Sequence, residues 1–174
     1  MMRDAGRNFT WSDKYGPNLF ARGFEGDASK PHRLVTAFEV FEHLVQVRED
    51  LANLFGPGHD FVLVGTVLHQ EPDGKWWYFV PESGQHVAFY SERTMEYIGA
   101  QCGYRVITGK AYSLFMKKNL ALSGWRCAFI KQVLNRAWLA YGLGTLLLGM
   151  RLSRSLTWQD HLDLRTAIQK DKAT

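Results

Sequence analysis

The chain has 174 residues, 46% of them hydrophobic and 14% aromatic, with a net charge of +4, which excludes a disordered tail and suits one domain with a real core. Its two cysteines, Cys102 and Cys127, have neither C-x-x-C spacing nor the density of a disulfide scaffold, so they predict reduced thiols in a cytoplasmic protein. Residues 123–174 carry eight Lys/Arg against three Asp/Glu and residues 1–122 carry 13 against 14, which predicts an α/β domain over 1–122 and a basic, apolar helical extension over 123–174.

In chain order, Met1 to Gly6 is charged and no apolar stretch follows it, which predicts no secretory leader. Phe9-Thr10-Trp11-Ser12-Asp13 reads as a strand, with Asp13 at its carboxyl end where the turn Asp-Lys-Tyr-Gly-Pro begins. Residues 16–31 are rich in Gly, Pro, Asn and Asp and read mostly as loop. Leu34, Val35, Ala37 and Phe38 then form a near-continuous apolar run, the pattern of a strand buried on both faces, and it ends in Glu39, Glu42 and His43. A helix is expected next, because apolar residues recur from Leu44 at Val47, Leu51, Leu54 and Phe55 until Gly56-Pro57-Gly58 stops them. If residues 39–43 lie in its first turn, the spacing i, i+3, i+4 puts Glu39, Glu42 and His43 on one face. The plainer reading of the same acids is that they complement the helix dipole while His43 packs.

Residues 60–68 read as a second buried strand, and a long connection over 69–90 follows, holding Trp76, Trp77, Tyr78, Glu82 and His86. Its aromatics either wall a pocket or pack the loop onto the sheet, and packing is the expectation. Ser91 suits the N-cap of a helix that turns Met95, Ile98 and Cys102 inward and ends at Gly103. Residues 104–108 and 111–116 read as a hairpin at a sheet edge. In the tail, residues 137–150 are uncharged but fall short of the ~20 needed to cross a bilayer. One helix is expected over 125–150 with Trp138, Leu139, Leu146 and Leu147 buried or interfacial. It makes peripheral contact with a membrane or docks within the protein.

Two stretches carry a resemblance: Thr36-Ala37-Phe38-Glu39-Val40-Phe41-Glu42-His43, and Gly84-Gln85-His86-Val87-Ala88-Phe89-Tyr90-Ser91 with Trp76 to Glu82 leading into it. Together they resemble the class I S-adenosylmethionine-dependent methyltransferases, over roughly residues 1 to 118. Within that family they are similar to a bacterial subgroup in which the first stretch ends the fourth strand and the second follows the fifth. The resemblance implies a partial Rossmann-like sheet with helices on both faces, and an antiparallel pair for the last strands. The family's Gly-x-Gly turn, which cradles the methionine and ribose end of the cofactor, has no counterpart near the start of this sequence. A truncated domain is therefore expected, with two exposed sheet edges and a tendency to self-associate.

By the same resemblance, Asp13 and Glu39 fall where the cofactor S-adenosyl-L-methionine is bound, Asp13 at the ribose hydroxyls. Glu39, Glu42, His43 and His86 are the candidate ligands of a divalent cation such as Mg²⁺, since two carboxylates and two imidazoles also suit Mn²⁺, Fe²⁺ or Zn²⁺. Ubiquinone-pathway and small-RNA 2′-O-methyltransferases carry similar Glu-x-x-Glu-His arrangements. Such an ion can chelate a substrate hydroxyl and lower its pKa; without it, His43 or His86 can serve as general base. The expected acceptor is a small molecule or a sugar hydroxyl. Nucleic acid is not favoured, because no basic stripe lies beside the motif. No Gly-x-Ser-x-Gly, P-loop or zinc spacing competes. The alternative is a truncated, non-catalytic module acting in protein or membrane association.

Overall fold

A computed structural model describes residues 3, 6–16, 21–70, 74–110, 112–120, 122–136, 156, 158–163 and 166. The chain forms two units, one of residues 28–140 and one of residues 1–27 with 141–174.

The larger unit is a mixed α/β fold with a four-stranded sheet in the order β1-β2-β4-β3. Strand β1 (Leu34–Phe38) pairs in parallel with β2 (Phe61–Gly65), in a register that sets Leu34 opposite Phe61 and Phe38 opposite Gly65. Strand β4 (Tyr112–Lys117) runs antiparallel to both β2 and β3 (Tyr104–Thr108). The hairpin expected at the edge thus folds back so that β4, not β3, meets β2. The link from β1 to β2 contains a short 3-10 turn (Phe41–His43) and helix α1 (Val47–Phe55). Helix α2 (Glu92–Cys102) begins where its sequence says it should, with the Ser91 hydroxyl accepting from Thr94 N at 3.1 Å. It ends at Gly103, whose φ of 82° is a left-handed geometry that costs glycine little.

Because strand side chains alternate, Val35, Ala37, Val62, Val64, Val106 and Phe115 share one face of the sheet. That face meets Leu51 and Phe55 of α1 and Met95 and Ile98 of α2 in a single core. Phe55 sets its ring 5.0 Å from Phe115 and 5.1 Å from Tyr104, and α2 comes so close that a Cβ on Gly99 would lie 2.3 Å from Val106 Cγ2. The opposite face is closed at Met116 and Ile107 but open toward β1, where Leu34 and Phe38 remain 45% and 48% exposed. Helices α1 and α2, which build the described core, therefore share one face of the sheet.

Helix α3 (Gly124–Asn135) runs beside β3 and β4 and buries none of its residues. The expectation of a helix to residue 150, with Trp138, Leu139, Leu146 and Leu147 buried, lies outside the described residues from residue 137 onward. No helix among the described residues is long and apolar enough to cross a membrane.

In the smaller unit, residues 9–13 do not form the expected strand. Trp11 makes a single parallel bridge to Glu25, and its indole N–H donates to the Ala21 carbonyl at 2.6 Å. The Arg3 guanidinium donates through Nε to Asp160 at 2.6 Å and lies 4.4 Å from the centre of the Phe24 ring.

Candidate functional site

The site is built from the end of β1 outward. Glu39 N still donates to Gly65 O at 2.9 Å, one step beyond the strand ladder. The chain then turns through a left-handed residue, since Glu39 has a φ of 50°. Side chains adopt that region rarely, and residues held there cluster at functional sites. Phe41 follows and is wholly buried, its ring 5.5 Å from that of Tyr90, a burial worth about 2 kcal/mol. With Phe41 anchored in the core, Glu42 and His43 are fixed beside the carboxyl ends of β1 and β2. The other half of the site comes from the long loop. Val87 N and Ala88 N both donate to the Glu42 carbonyl, at 2.8 and 3.1 Å, and these bonds bring His86 alongside.

Glu42, His43 and His86 each present one ligand atom, all within 4.8 Å of one another. They converge by a route different from the helical face expected. Residues 41–43 form a 3-10 turn and the helix begins only at Val47. Glu39 is not in the three-residue group; its carboxyl lies close enough to Glu42 for the two to shift each other's titration. Asp13 belongs to the smaller unit, where its exposed carboxylate accepts from Tyr15 N at 2.7 Å and Gly16 N at 3.0 Å. That is the turn-opening geometry of an Asx residue.

The ring nitrogens of the two histidines are sorted by their partners. His43 Nδ1 lies 2.8 Å from Gln85 O and His86 Nδ1 lies 2.7 Å from Tyr78 O. A carbonyl oxygen only accepts, so both Nδ1 atoms donate, and in the neutral ring this tautomer puts the lone pair on Nε2. This is how metal-ligating histidines are usually held, with the second nitrogen fixing tautomer and orientation. The rings meet edge to face with centroids 5.1 Å apart.

Glu42 is fully buried. Its Oε1 accepts from the Tyr78 hydroxyl at 2.8 Å, and Tyr78 Oη in turn lies 3.3 Å from Thr66 Oγ1. Its Oε2 is buried with no hydrogen-bond donor. Burial pushes the Glu42 carboxyl up, but its own backbone N–H, the Tyr78 hydroxyl, Glu39 and Thr66 together outweigh burial and leave it below its ordinary value. The Glu39 carboxyl moves the other way, raised first by the adjoining Glu42 carboxyl, then by burial and by the Glu42 charge, against a smaller pull from His86 and His43. The opposed shifts favour the negative charge on Glu42 over a charge on Glu39. Tyr78, pushed up to about 12 chiefly by burial, stays a donor.

A buried carboxylate oxygen without a donor and two imidazoles held through Nδ1 suit a divalent cation, and the Glu39 carboxylate can add a fourth ligand. The aromatics of the long loop pack among themselves, Trp76 lying 5.3, 5.2 and 5.7 Å from Tyr78, Phe79 and Phe89. Tyr78 and Thr66 are the site residues that sequence reasoning missed. Tyr78 reads as one more aromatic of its run, and Thr66 as a residue of an apolar strand. Only the fold, by placing both beside Glu42, makes them partners.

Compared with known proteins, the chain matches no family model, no curated protein and no solved structure.

Proposed function

We propose that the 28–140 unit is the metal-assisted part of an S-adenosylmethionine-dependent methyltransferase acting on a hydroxyl of a small molecule or sugar. The observation that carries the reading is the preset state of the ligands. Glu42 is ionised with one oxygen donor-free, and His43 and His86 are both locked through Nδ1 with Nε2 open. The fold is compatible with it. The parallel pair β1 and β2 carries the two motifs at its carboxyl ends, and an antiparallel pair follows, as the resemblance implies for the last strands. Ligands of open α/β sheets are commonly bound beyond the carboxyl ends of their strands.

In this reading bound S-adenosylmethionine would be the source of the methyl group, and a bound cation would make the acceptor hydroxyl more acidic. Glu42, His43 and His86 hold the cation, while Tyr78 and Thr66 keep Glu42 ionised and aimed. Where no metal is bound, the Nε2 of His43 or His86 is the free base for the acceptor hydroxyl.

Calorimetric titration of the full chain with Mn²⁺, followed by equilibrium binding of S-adenosylmethionine, tests both halves. Binding of one Mn²⁺, weakened by ~100-fold in His86→Ala, together with cofactor binding that survives that substitution, is expected. Mn²⁺ affinity unchanged by His86→Ala ends the metal reading. Absence of cofactor binding ends the methyltransferase reading and leaves the non-catalytic alternative.

A further inference from the structure

The distribution of charge along the chain sets up a second surface, on α3 rather than on the turns that hold Glu42, His43 and His86. From residue 97 to residue 159 there is no Asp or Glu at all, against nine Lys/Arg. This acid-free stretch begins inside α2 and takes in β3, β4 and the whole of α3. Within it α3 is unusual. Cys127, Ile130, Val133 and Leu134 are half-buried, and the opposite stripe shows Trp125 and Phe129 at spacing i, i+4 with 69% and 54% exposure. Gln132 and Arg136 continue that stripe. Arg126 stands on one flank with its guanidinium 5.3 Å from the Trp125 ring, and Lys131 stands on the other, 3.8 Å from Glu92.

We infer that the outward face of α3 docks on an anionic lipid surface, with Trp125 and Phe129 entering the headgroup boundary and Arg126 and Arg136 meeting the anionic headgroups. Aromatic side chains amid basic ones on an exposed helix are the composition of interfacial helices. The 63 residues from 97 to 159 add no acid to this surface, and Glu92, at its flank, is paired with Lys131, so little repulsion opposes an anionic partner. A nucleic-acid surface fits less well, because the centre of the stripe is apolar and the sequence beyond Arg136 is uncharged for fourteen residues, 137–150. A phosphate-tracking face would keep its cations. The inference does not depend on methyl transfer.

The test is co-sedimentation of the full chain with vesicles of phosphatidylcholine alone and of phosphatidylcholine with about 30% phosphatidylserine, at low and high salt. Affinity for the anionic vesicles is expected to exceed that for the neutral ones by ~10-fold or more, and to fall with salt. Trp125→Ala with Phe129→Ala, at exposed positions, should lower it by ~10-fold. Arg126→Gln with Arg136→Gln, which leaves the apolar stripe intact, should lower it on anionic vesicles only. The inference is overturned if the aromatic double variant binds as the native chain does, if neutral vesicles bind equally well, or if duplex DNA or RNA of ~20 base pairs strips the chain from anionic vesicles.

Discussion

Two pairs of histidines sit at opposite ends of the parallel strands β1 and β2, and the hydrogen bonds at their rings separate a structural pair from a chemical one. At the amino ends, His59 Nδ1 accepts from the His32 backbone N–H at 3.0 Å, and the two rings stack with centroids 5.7 Å apart. The His59 backbone carbonyl accepts from the Tyr104 hydroxyl at 2.7 Å. At the carboxyl ends, His43 and His86 donate through Nδ1 to carbonyls and keep Nε2 open beside an ionised carboxylate. The same side chain is thus a packed neutral element in one place and a prepared ligand or base in the other. What differs is whether the nitrogen that must stay unprotonated already has a partner.

That contrast is broken most sharply by exchanging the roles. His86→Ala should weaken Mn²⁺ binding by ~100-fold, whereas His59→Gln should leave it within about twofold, since additivity holds for sites that share no partners. Equal losses from both would mean that the carboxyl-end pair is no more specialised than the other. The next largest effect is expected from Tyr78→Phe, which removes the donor to Glu42 Oε1 without changing the ring packing against His86 at 4.4 Å. Metal affinity should fall by roughly 10-fold, and thermal or denaturant unfolding should show a loss of about 1–3 kcal/mol for the unsatisfied buried carboxylate. An unchanged affinity would show that Tyr78 only packs.

The order of β1, α1, β2, α2, β3 and β4 was legible because each has a period and a stop of its own. Ser91 and Gly103 bound α2 at both ends in the sequence and in the structure, and the alternation through Val62 and Val64 marks the core face. The strand expected at residues 9–13 was not, since five residues with only Phe9 and Trp11 apolar carry little pattern. The candidate ligands Glu42, His43 and His86 were legible as residue types placed beyond strand ends. Their geometry was not, because it depends on a left-handed Glu39 and on two backbone bonds from a loop more than forty residues away. Pairings across that separation leave no local trace in the chain.

The left-handed Glu39 supplies a smaller test. If its backbone is held there for the sake of the acidic pair, Glu39→Gly should relieve strain and stabilise the fold by about 1 kcal/mol while weakening the cation site. Differential calorimetry and Mn²⁺ titration on one preparation read both. A variant that is less stable than the native chain would show that the Glu39 side chain contributes more to packing than its backbone costs.

The smallest effect expected is a pH dependence at the amino-end pair. Burial lowers the His59 pKa below its ordinary value of 6.5, the His32 charge adds to this, the Leu54 backbone carbonyl opposes it, and Lys117 lowers it a little further. Its folded pKa therefore lies below its unfolded one, so between the two the unfolded chain binds the extra proton. The stabilising contribution is fully present above about pH 6.5 and is lost as pH falls toward the folded value. Protonation at Nδ1 also sets an N–H against the His32 N–H that it now accepts from, which removes a buried hydrogen bond. Denaturant midpoints measured at intervals from about pH 7.5 to 5 should decline, and His59→Gln, whose amide oxygen can take the His32 N–H at every pH, should flatten that decline. The lowered Glu42 carboxyl acts in the same direction, but from its ordinary 4.5 downward, so the two contributions fall in separate windows. A native profile with the same slope as His59→Gln between pH 5 and 6.5 would show that the amino-end pair titrates without cost to the fold, and would remove the physical distinction drawn between the two ends of the sheet.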